Sequence, residues 1–255
     1  MDIFGALILG IVEGISEFLP ISSTGHLILA SRLLGIFQTE FVKTFEIAIQ
    51  LGAILSVVVL YWKKFLLNVE VLKRVFVAFL PTAAIGFVLY KFIKKFLMGN
   101  SLIVVWSLFL GGLFLIIFEL FHREKKDAVS EIPSISYRQA AVIGVFQAVA
   151  VIPGVSRSAA TIIGGLMLGL RRDVIVEFSF LLAVPTMLAA TLLDLYKSAN
   201  LFDRGQFAVL GIGFVTSFVA AIIAIRFLIS FVKRHNFIPF GVYRILLAIS
   251  FWFFI

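Results

Sequence analysis

The residues most capable of chemistry lie in one short stretch near the start of the chain, residues 13–26, with the sequence EGISEFLPISSTGH. It holds two carboxylates, three hydroxyls and one imidazole, the side chains used in acid–base and nucleophilic reactions. Glu13 and Glu17 are four residues apart, so a helix places both on one face. Pro20 then breaks the helix, and the run 22–25 behind it is typical of a turn that exposes backbone N–H groups.

The composition places this stretch inside a membrane. The chain has 255 residues, of which 62% are hydrophobic and 14% charged, with a mean hydropathy of +1.13. Soluble domains carry about 25% charged residues. Ionisable groups at membrane depth are costly, so we interpret those in this stretch as functional. The absence of Cys excludes disulfides, thiolate metal sites and a Cys nucleophile.

The net charge of +8 does not indicate a nucleic-acid partner, because no basic motif stands free of an apolar segment. It indicates basic loops on one side of a membrane and attraction to anionic membrane lipids. Six apolar segments predict transmembrane helices. They lie near residues 41–62, 75–93, 101–121, 174–196, 207–231 and 238–255, the last being shorter.

Two further apolar regions, 3–35 and 139–170, each contain a proline-centred break, at 19–25 and 152–158. Each half of these regions is too short to span a membrane comfortably. Broken backbone at membrane depth is tolerated only where it lines a cavity or is buried in protein. We therefore predict two re-entrant helical hairpins, each of which enters the membrane and returns on the same side.

The two broken regions also resemble each other. An alignment pairs 10–13 with 144–147 and, after a one-residue gap, Pro20 with Pro153, Ser23 with Ser156 and Phe45 with Phe178. Each half then has one hairpin and three spans, and an odd number of crossings inverts the second half relative to the first. We predict an all-α polytopic membrane protein with six transmembrane helices and two re-entrant hairpins in an inverted-topology repeat.

This architecture predicts a single membrane domain over residues 1–255, with repeats of about 1–121 and 139–255. The distribution of basic residues predicts its orientation. Twelve lie on one side: Lys63, Lys64, Lys73, Arg74, Arg123, Lys125, Lys126, Arg138, Arg171, Arg172, Lys233 and Arg234. Seven lie on the other: Arg32, Lys43, Lys91, Lys94, Lys95, Lys197 and Arg204. The twelve are expected in the cytoplasm, together with the linking loop 122–138, and both termini outside.

The second break supplies a positively charged side chain. Residues 153–161 read PGVSRSAAT, which places Arg157 at the break of an apolar hairpin, where an unpaired guanidinium is costly. A phosphate or carboxylate partner removes that cost, because the planar guanidinium fork matches both. Arg157 could instead serve as a structural bridge to Glu17. The helices that begin at 22–25 and 156–161 present free N–H groups and positive dipole ends, which favour an anion.

Anion sites beside paired carboxylates predict a phosphate held together with a divalent cation, Mg²⁺ or Ca²⁺. Glu13 and Glu17 are the predicted metal ligands. The predicted phosphate-binding residues lie at the two helix starts: Ser22, Thr24, Gly25, Gly154, Ser156, Arg157, Ser158 and Thr161.

Segments 13–26 and 153–161 resemble the two signature motifs of the undecaprenyl-pyrophosphate phosphatase family of bacterial membranes (BacA type), and the resemblance covers essentially the whole chain. It implies hydrolysis of a C55 polyprenyl pyrophosphate to the monophosphate, which recycles the lipid carrier of peptidoglycan and other envelope polymers. It also implies dependence on a divalent cation and a link to resistance against bacitracin, which competes for the lipid. The implied location is the bacterial cytoplasmic membrane, with an active site open to the extracytoplasmic side.

The same resemblance implies Glu13 and Glu17 as the acidic pair, with Ser23, His26 and Arg157 as the other central residues. Arg157 is expected to hold the distal phosphate and Glu17 to orient His26 or bind the metal. Three nucleophiles stay open. Ser23 could attack, with His26 on the same helical face as general base or acid; water could attack with His26 as base; or His26 itself could attack.

A transporter or lipid flippase is the alternative function, because inverted repeats with broken helices are common in transporters. A transporter does not need a hydroxyl, an imidazole and carboxylates beside an Arg clamp, so the site favours the enzyme. The sequence leaves open whether the protein forms a homodimer.

Overall fold

The computed structural model describes residues 1–92, 97, 100–198 and 206–253, and these residues form ten α-helices and no β-strand. The helices are α1 (Ile3–Ser16), α2 (Ser23–Leu33), α3 (Glu40–Leu67), α4 (Val69–Phe92), α5 (Ser101–Phe121), α6 (Tyr137–Ala148), α7 (Arg157–Met167), α8 (Arg172–Ser198), α9 (Phe207–Val232) and α10 (Ile238–Trp252). Single 3₁₀ turns cover Ile132–Ser134 and Val149–Val151.

Among the described residues, five helices are long and apolar enough to cross a membrane, so the chain is a polytopic membrane protein. They contain the spans Glu40–Lys64, Val69–Leu89, Ser101–Phe121, Arg172–Thr191 and Phe207–Val232. Five of the six predicted spans are thereby confirmed. The sixth, 238–255, is represented by α10, whose 15 residues are shorter than a full span, and its crossing stays a prediction.

Two spans begin earlier than their apolar segments predict, at Val69 rather than near 75 and at Arg172 rather than near 174. Each of these helices has an acidic residue in its first turn, Glu70 or Asp173, which complements the positive end of the helix dipole. Of the basic residues used to predict orientation, Lys94, Lys95 and Arg204 lie outside the described residues.

Both broken regions fold as two short helices joined by an irregular turn. In the first region α1 ends at Ser16, ahead of Pro20, and α2 begins at Ser23. In the second region α6 passes into a 3₁₀ turn, and α7 begins at Arg157. The breaks predicted at 19–25 and 152–158 are therefore confirmed, with the first break beginning at Glu17.

The two ends of each broken region lie side by side. A Cβ atom placed on Gly5, in the first turn of α1, would lie 3.1 Å from Cδ1 of Ile36, just beyond the end of α2. Near the start of α6, Gln139 Nε2 donates to the carbonyl oxygen of Leu168, which follows α7, at 3.0 Å. The two helices of each region therefore form a hairpin.

Glycines allow the first helix of each hairpin to pack directly on the backbone of a span. A Cβ atom on Gly10 would lie 2.8 Å from the carbonyl oxygen of Gly213, and Gly14 lies still closer to that of Ser217. Gly144 of α6 packs equally closely on the backbone of α4. Close packing through small residues is typical of helices in membranes, where burial of apolar surface provides little driving force for helix association. These contacts set the depth of both breaks.

An ion pair joins the two halves of the chain at the end of α5. Arg172 Nη2 donates to Glu119 Oε2 at 2.8 Å, and Nη1 contacts Oε1 of the same carboxylate. The backbone N–H of Phe237 also donates to Glu119 Oε1, at 3.1 Å. Glu119 therefore ties the start of α8 and the approach to α10 to α5.

Candidate active site

The two breaks share an unusual backbone conformation at one serine each. Ser22 has φ 71° and ψ 97°, and Ser156 has φ 74° and ψ 112°. Within the described ranges these are the only residues other than glycine with positive φ. Each serine caps the next helix: Ser22 Oγ accepts from Gly25 N at 3.5 Å, and Ser156 Oγ from Ala159 N at 3.2 Å. Such backbone strain costs about 1–3 kcal/mol and concentrates at functional sites.

This geometry corrects the alignment of the two breaks. The equivalent of Ser156 is Ser22, because both are strained helix caps, and not Ser23 as the one-residue gap implied. The gap arose from matching the two prolines, which lie at different points of their turns. Without the gap, Ser23 and Arg157 occupy the same position, the first residue of the returning helix.

Glu17 joins the two breaks. Its Oε2 accepts a hydrogen bond from Ser23 Oγ at 2.5 Å, and its Oε1 accepts one from Arg157 Nη2 at 3.0 Å. The side chains are largely buried, with 8% of Glu17 and 12% of Arg157 exposed. The structure thus brings three of the four predicted catalytic residues together across 140 positions of sequence. The bridge between Arg157 and Glu17, weighed above as an alternative, is present.

Arg157 has further partners. Its Nη1 donates to the carbonyl oxygen of Ser179 at 3.0 Å, and its guanidinium lies over the ring of Phe18, 5.7 Å from the centroid. Its Nε is buried and has no hydrogen-bond partner among the described residues. The guanidinium is therefore held in place through its two Nη atoms and the ring of Phe18, and not through Nε.

Glu13 is fully buried, and neither of its carboxylate oxygens has a hydrogen-bond partner in the part of the chain that the structure describes. The charged side chains that act on it are Glu17, Glu46 and Arg157. A buried carboxylate without partners is costly. Glu17 is the neighbouring carboxylate, and two carboxylates this close are costly when both are charged, so the pair calls for a shared proton or a bound cation.

The residues present fit a divalent cation in one specific way. No group of three His, Cys, Asp or Glu side chains in the described ranges could hold a metal ion alone. Mg²⁺, however, is commonly held by one or two carboxylates, while water and substrate phosphate oxygens complete its coordination. Glu13 beside Glu17 fits that mode.

His26 lies at the first break but has other partners than those expected. Its Nδ1 is 2.7 Å from the carbonyl oxygen of Ser22, and its Nε2 is 2.7 Å from the hydroxyl of Tyr243. A carbonyl oxygen can only accept, so Nδ1 carries the hydrogen, and Nε2 of the neutral ring accepts from Tyr243. The expected pairing of His26 with Ser23, and the orientation of His26 by Glu17, are not what the structure shows. Ser23 begins α2 and turns back toward Glu17, whereas His26 turns toward α10.

The other predicted phosphate-binding residues divide into two groups. The hydroxyls of Ser158 and Thr161 are buried and bonded within the protein, Ser158 to the Phe18 carbonyl at 2.7 Å and Thr161 to Ser179 Oγ at 2.6 Å. They hold the second break in shape. Ser23 is half-buried and Thr24 exposed, so the helix start at the first break is the more accessible one.

Arg244 of α10 is a residue that sequence reasoning missed. It is fully buried and donates to backbone carbonyl oxygens of both breaks and of α5. The acceptors are Val155 at 2.9 Å, Ser107 at 2.9 Å, Gly154 at 3.1 Å, Pro20 at 3.4 Å and Leu108 at 3.4 Å. An arginine inside the apolar segment 238–255 was the available signal, since a charge there requires a reason.

Known proteins resemble this chain over its whole length. The family described as bacitracin resistance protein BacA matches residues 6–250. A protein named undecaprenyl-diphosphatase from a Sulfurihydrogenibium species is 54% identical over 252 residues, 99% of this chain and 99% of that protein. Proteins of the same name from Aquifex aeolicus and Wolinella succinogenes are 55% and 51% identical. They align with 96% and 100% of this chain, and with 95% and 99% of their own lengths.

Proposed function

The chain belongs to the BacA family of bacitracin resistance proteins, and we propose that the site joining its two breaks hydrolyses undecaprenyl pyrophosphate to undecaprenyl phosphate and inorganic phosphate. The chain is an undecaprenyl-diphosphatase, an integral-membrane hydrolase that recycles the lipid carrier of cell-wall synthesis and contributes to bacitracin resistance. The observation that carries the assignment to this site is the position of Glu17, bonded to Ser23 Oγ and to Arg157 Nη2.

Substrate binding is assigned to the second break. Arg157 binds the distal phosphate through Nε–H, which has no protein partner in the described chain, while Nη1 and Nη2 stay bonded to Ser179 and Glu17. Ser179 and Phe18 hold the guanidinium while it does so. The N-termini of α2 and α7 add positive dipole ends on either side of the anion.

Ser23 is the nucleophile that the geometry favours. Glu17 accepts the proton of Ser23 while Oγ forms a bond to the distal phosphorus, and the bond from that phosphorus to the bridging oxygen breaks. Undecaprenyl phosphate leaves with the bridging oxygen. Glu17 passes the proton it took from Ser23 to the departing lipid phosphate and is then free to accept a proton from water. The water oxygen bonds to the phosphorus of the phosphoserine, the bond from phosphorus to Ser23 Oγ breaks, and Glu17 returns the proton to Oγ as inorganic phosphate leaves. Direct attack by water is the competing route, and it predicts substantial activity in Ser23→Ala together with no trapped phosphoserine.

A divalent cation is the remaining component of the proposal. Glu13 and Glu17 would hold Mg²⁺ or Ca²⁺, supported by the unpartnered oxygens of Glu13. When bound there, a cation neutralises charge on the phosphate oxygens during transfer.

We also propose the full membrane layout of six spans and two re-entrant hairpins, inverted between repeats of about 1–121 and 139–255. Three observations support it: the adjoining ends of each hairpin, the matched serine caps, and the packing of α1 on α9 and of α6 on α4. The protein is then placed in the cytoplasmic membrane, with loop 122–138 inside and the site open to the extracytoplasmic side.

Cysteine labelling tests this orientation cleanly, because the chain has no cysteine. Thr39 and Ser130 are exposed at opposite ends of the proposed layout. Thr39→Cys should react with an impermeant maleimide in intact cells, and Ser130→Cys should react only after lysis. Labelling of Ser130→Cys in intact cells would contradict the proposed orientation, but it would not affect the enzymatic assignment.

Phosphate release by the purified protein in detergent tests the function. A lipid pyrophosphate should be hydrolysed with turnover, and excess EDTA should abolish release. Detergent micelles have no compartments, so a transporter or flippase would release no phosphate. Absence of release with intact, folded protein and added Mg²⁺ or Ca²⁺ would overturn the assignment.

A further inference from the structure

Tyr243 takes no part in the mechanism described above, yet it touches the site directly. Its hydroxyl lies 2.7 Å from Nε2 of His26. The two rings are nearly parallel, at 8°, with centroids 5.5 Å apart. The phenol and the imidazole therefore lie side by side, joined through their polar atoms.

The position of Tyr243 is fixed by the next residue. Arg244 is fully buried and donates to the carbonyl oxygens of Pro20 in the first break and of Gly154 in the second. The backbone of α10 is thereby tied to both breaks at the point where Tyr243 leaves it. The tyrosine hydroxyl is held at a defined place relative to the site.

Tyr243 also lies at the outer edge of the site. Glu17 and Arg157 are deep, with 8% and 12% of their side chains exposed, whereas Tyr243 is 43% exposed. Its neighbours on α10, Val242 and Leu246, are exposed apolar residues. A polyprenyl chain must leave the site toward hydrocarbon. With the distal phosphate at Arg157, the lipid-bearing phosphate then lies nearer this edge.

We propose that Tyr243 recognises the phosphate that carries the lipid chain, and that this recognition frees Nε2 of His26. The proposal rests on the proposed function. In the free protein the tyrosine O–H donates to Nε2. When substrate binds, the O–H turns to an oxygen of the lipid-bearing phosphate, and its hydrogen stays on Tyr243. His26, still bonded through Nδ1 to the Ser22 carbonyl, then has an uncovered acceptor at Nε2.

This arrangement discriminates between ligands that share phosphate chemistry. A lipid pyrophosphate reaches both Arg157 and Tyr243, and a lipid monophosphate reaches Tyr243, because the chain holds its own phosphate at the outer edge. Inorganic phosphate fills the deep position alone and has no reason to engage the tyrosine. Loss of the hydroxyl should therefore weaken the binding of lipid phosphates and leave the binding of inorganic phosphate unchanged.

Tyr243→Phe is the test, because it retains the ring beside His26 and removes only the hydroxyl. The assay follows phosphate release from farnesyl pyrophosphate in detergent, with farnesyl monophosphate and inorganic phosphate as competing inhibitors. The KM for farnesyl pyrophosphate and the Ki for farnesyl monophosphate should each rise about tenfold or more, the effect of one hydrogen bond to a charged group. The Ki for inorganic phosphate should not change.

Tyr137→Phe is the matched control. Tyr137 is also exposed, and its hydroxyl lies 3.4 Å from a carboxylate oxygen of Glu70, far from both breaks in the fold. This variant should leave KM and both Ki values unchanged. Because KM and Ki do not depend on the fraction of active protein, poor folding of Tyr243→Phe does not obscure the comparison.

Unchanged constants for all three ligands in Tyr243→Phe would overturn the proposal. An equal rise in the Ki of farnesyl monophosphate and of inorganic phosphate would also overturn it, because the hydroxyl would then act on the deep site or on its structure. If the wild-type protein released no phosphate, the proposed function would fail instead. Direct binding of farnesyl monophosphate to wild type and Tyr243→Phe would still decide the role of the tyrosine.

Discussion

The two breaks share one backbone conformation at their cap serines and carry opposite charge. Ser22 and Ser156 adopt the same strained conformation, with φ 71° and 74°, and each caps the helix that returns from the break. The next residue is Ser23 in the first break and Arg157 in the second. The first break carries the carboxylates and the reactive hydroxyl, and the second carries the cation. Glu17 is the point at which the two meet.

The buried helix position ahead of each break carries a different polar side chain in the two regions. In α6 it is Gln147, whose Nε2 donates to Thr82 Oγ1 at 3.0 Å and to Thr186 Oγ1 at 2.9 Å. In α1 it is Glu13, whose two oxygens find no partner in the described part of the protein. The donor end of Gln147 is thus bonded within the protein while its Oε1 is not, whereas Glu13 has no bonded oxygen in the described chain. In the proposed mechanism, the two breaks thus divide anion binding and acid–base chemistry between them.

Removal of the charge that joins the two breaks should have the largest effect. Glu17→Gln keeps the size of the side chain and can still bond to Arg157, but it cannot accept the proton of Ser23. Turnover should fall by about 10²–10⁴-fold, the usual contribution of a general base. Phosphate release by detergent-purified protein measures this, with folded yield read from size-exclusion chromatography.

Glu177→Gln is the control, because Glu177 is also a half-buried helical carboxylate but pairs with Lys64 at 2.5 Å, away from both breaks. It should retain turnover near that of the wild type. Near wild-type release by Glu17→Gln would remove the carboxylate from the mechanism and leave the two breaks joined only structurally.

Arg157→Lys should have the next largest effect, because lysine keeps the charge but cannot hold Ser179, Glu17 and a phosphate oxygen in one plane. We expect about 10²-fold lower kcat/KM, the loss associated with one preorganised donor to the transition state. Arg171→Lys, at an exposed ion pair with Asp173, should be unaffected. If Arg157→Lys retains most activity, Arg157 contributes only its positive charge, and the planar shape of its guanidinium has no special role.

Glu13→Gln gives α1 the residue that α6 has at the aligned position, Gln147. If Glu13 is a cation ligand, the affinity of the protein for Mn²⁺, measured by electron paramagnetic resonance without substrate, should fall at least about tenfold. Glu40→Gln, at an exposed pair with Lys43, should bind Mn²⁺ as the wild type does. Unchanged Mn²⁺ affinity in Glu13→Gln would mean that the buried carboxyl is protonated rather than metal-bound, and the contrast with Gln147 would lose its functional meaning.

Sequence reasoning located the breaks, five spans and the group formed by Glu17, Ser23 and Arg157, because proline, turn residues and charges stand out against an apolar chain. It misjudged the partner of His26 and missed Tyr243 and Arg244. Those contacts span much of the chain, with 217 positions between His26 and Tyr243. Helical periodicity indicates which residues share a face, but it does not indicate which other helix that face will meet.

The repeat alignment failed for a different reason. It was anchored on Pro20 and Pro153, which are visible in the sequence, whereas the structural equivalence lies in the positive φ angles of Ser22 and Ser156. Serine gives no sign of that conformation, since positive φ is uncommon for any residue other than glycine. The strain is imposed by the surrounding packing, including the bonds from Arg244 to Pro20, Gly154 and Val155.

Glycine substitution at the two caps should have the smallest effect and tests the equivalence of the breaks most directly. Glycine adopts positive φ without strain and replaces a serine cap at a cost of only a few tenths of a kcal/mol. Relief of strain offsets the lost cap bond, so Ser22→Gly and Ser156→Gly should each lie within about 1 kcal/mol of the wild type. Ser22→Ala and Ser156→Ala keep the strain and lose the bond, and should each be less stable by about 1 kcal/mol.

Thermal unfolding of the four variants in detergent checks these stabilities, and the comparison within each pair matters more than any single value. If the two cap positions are structurally equivalent, the stabilities of the two glycine variants shift together, and so do those of the two alanine variants.

Activity should nevertheless distinguish the two glycine variants. Ser22 precedes Ser23, and its carbonyl holds Nδ1 of His26, so added freedom at position 22 loosens the reactive hydroxyl and the imidazole together. Ser156→Gly loosens only the break that holds Arg157, which Glu17 and Ser179 also restrain. Ser22→Gly should therefore lower turnover more than Ser156→Gly at equal stability. Unequal stabilities would show that the shared φ angles conceal two different packings.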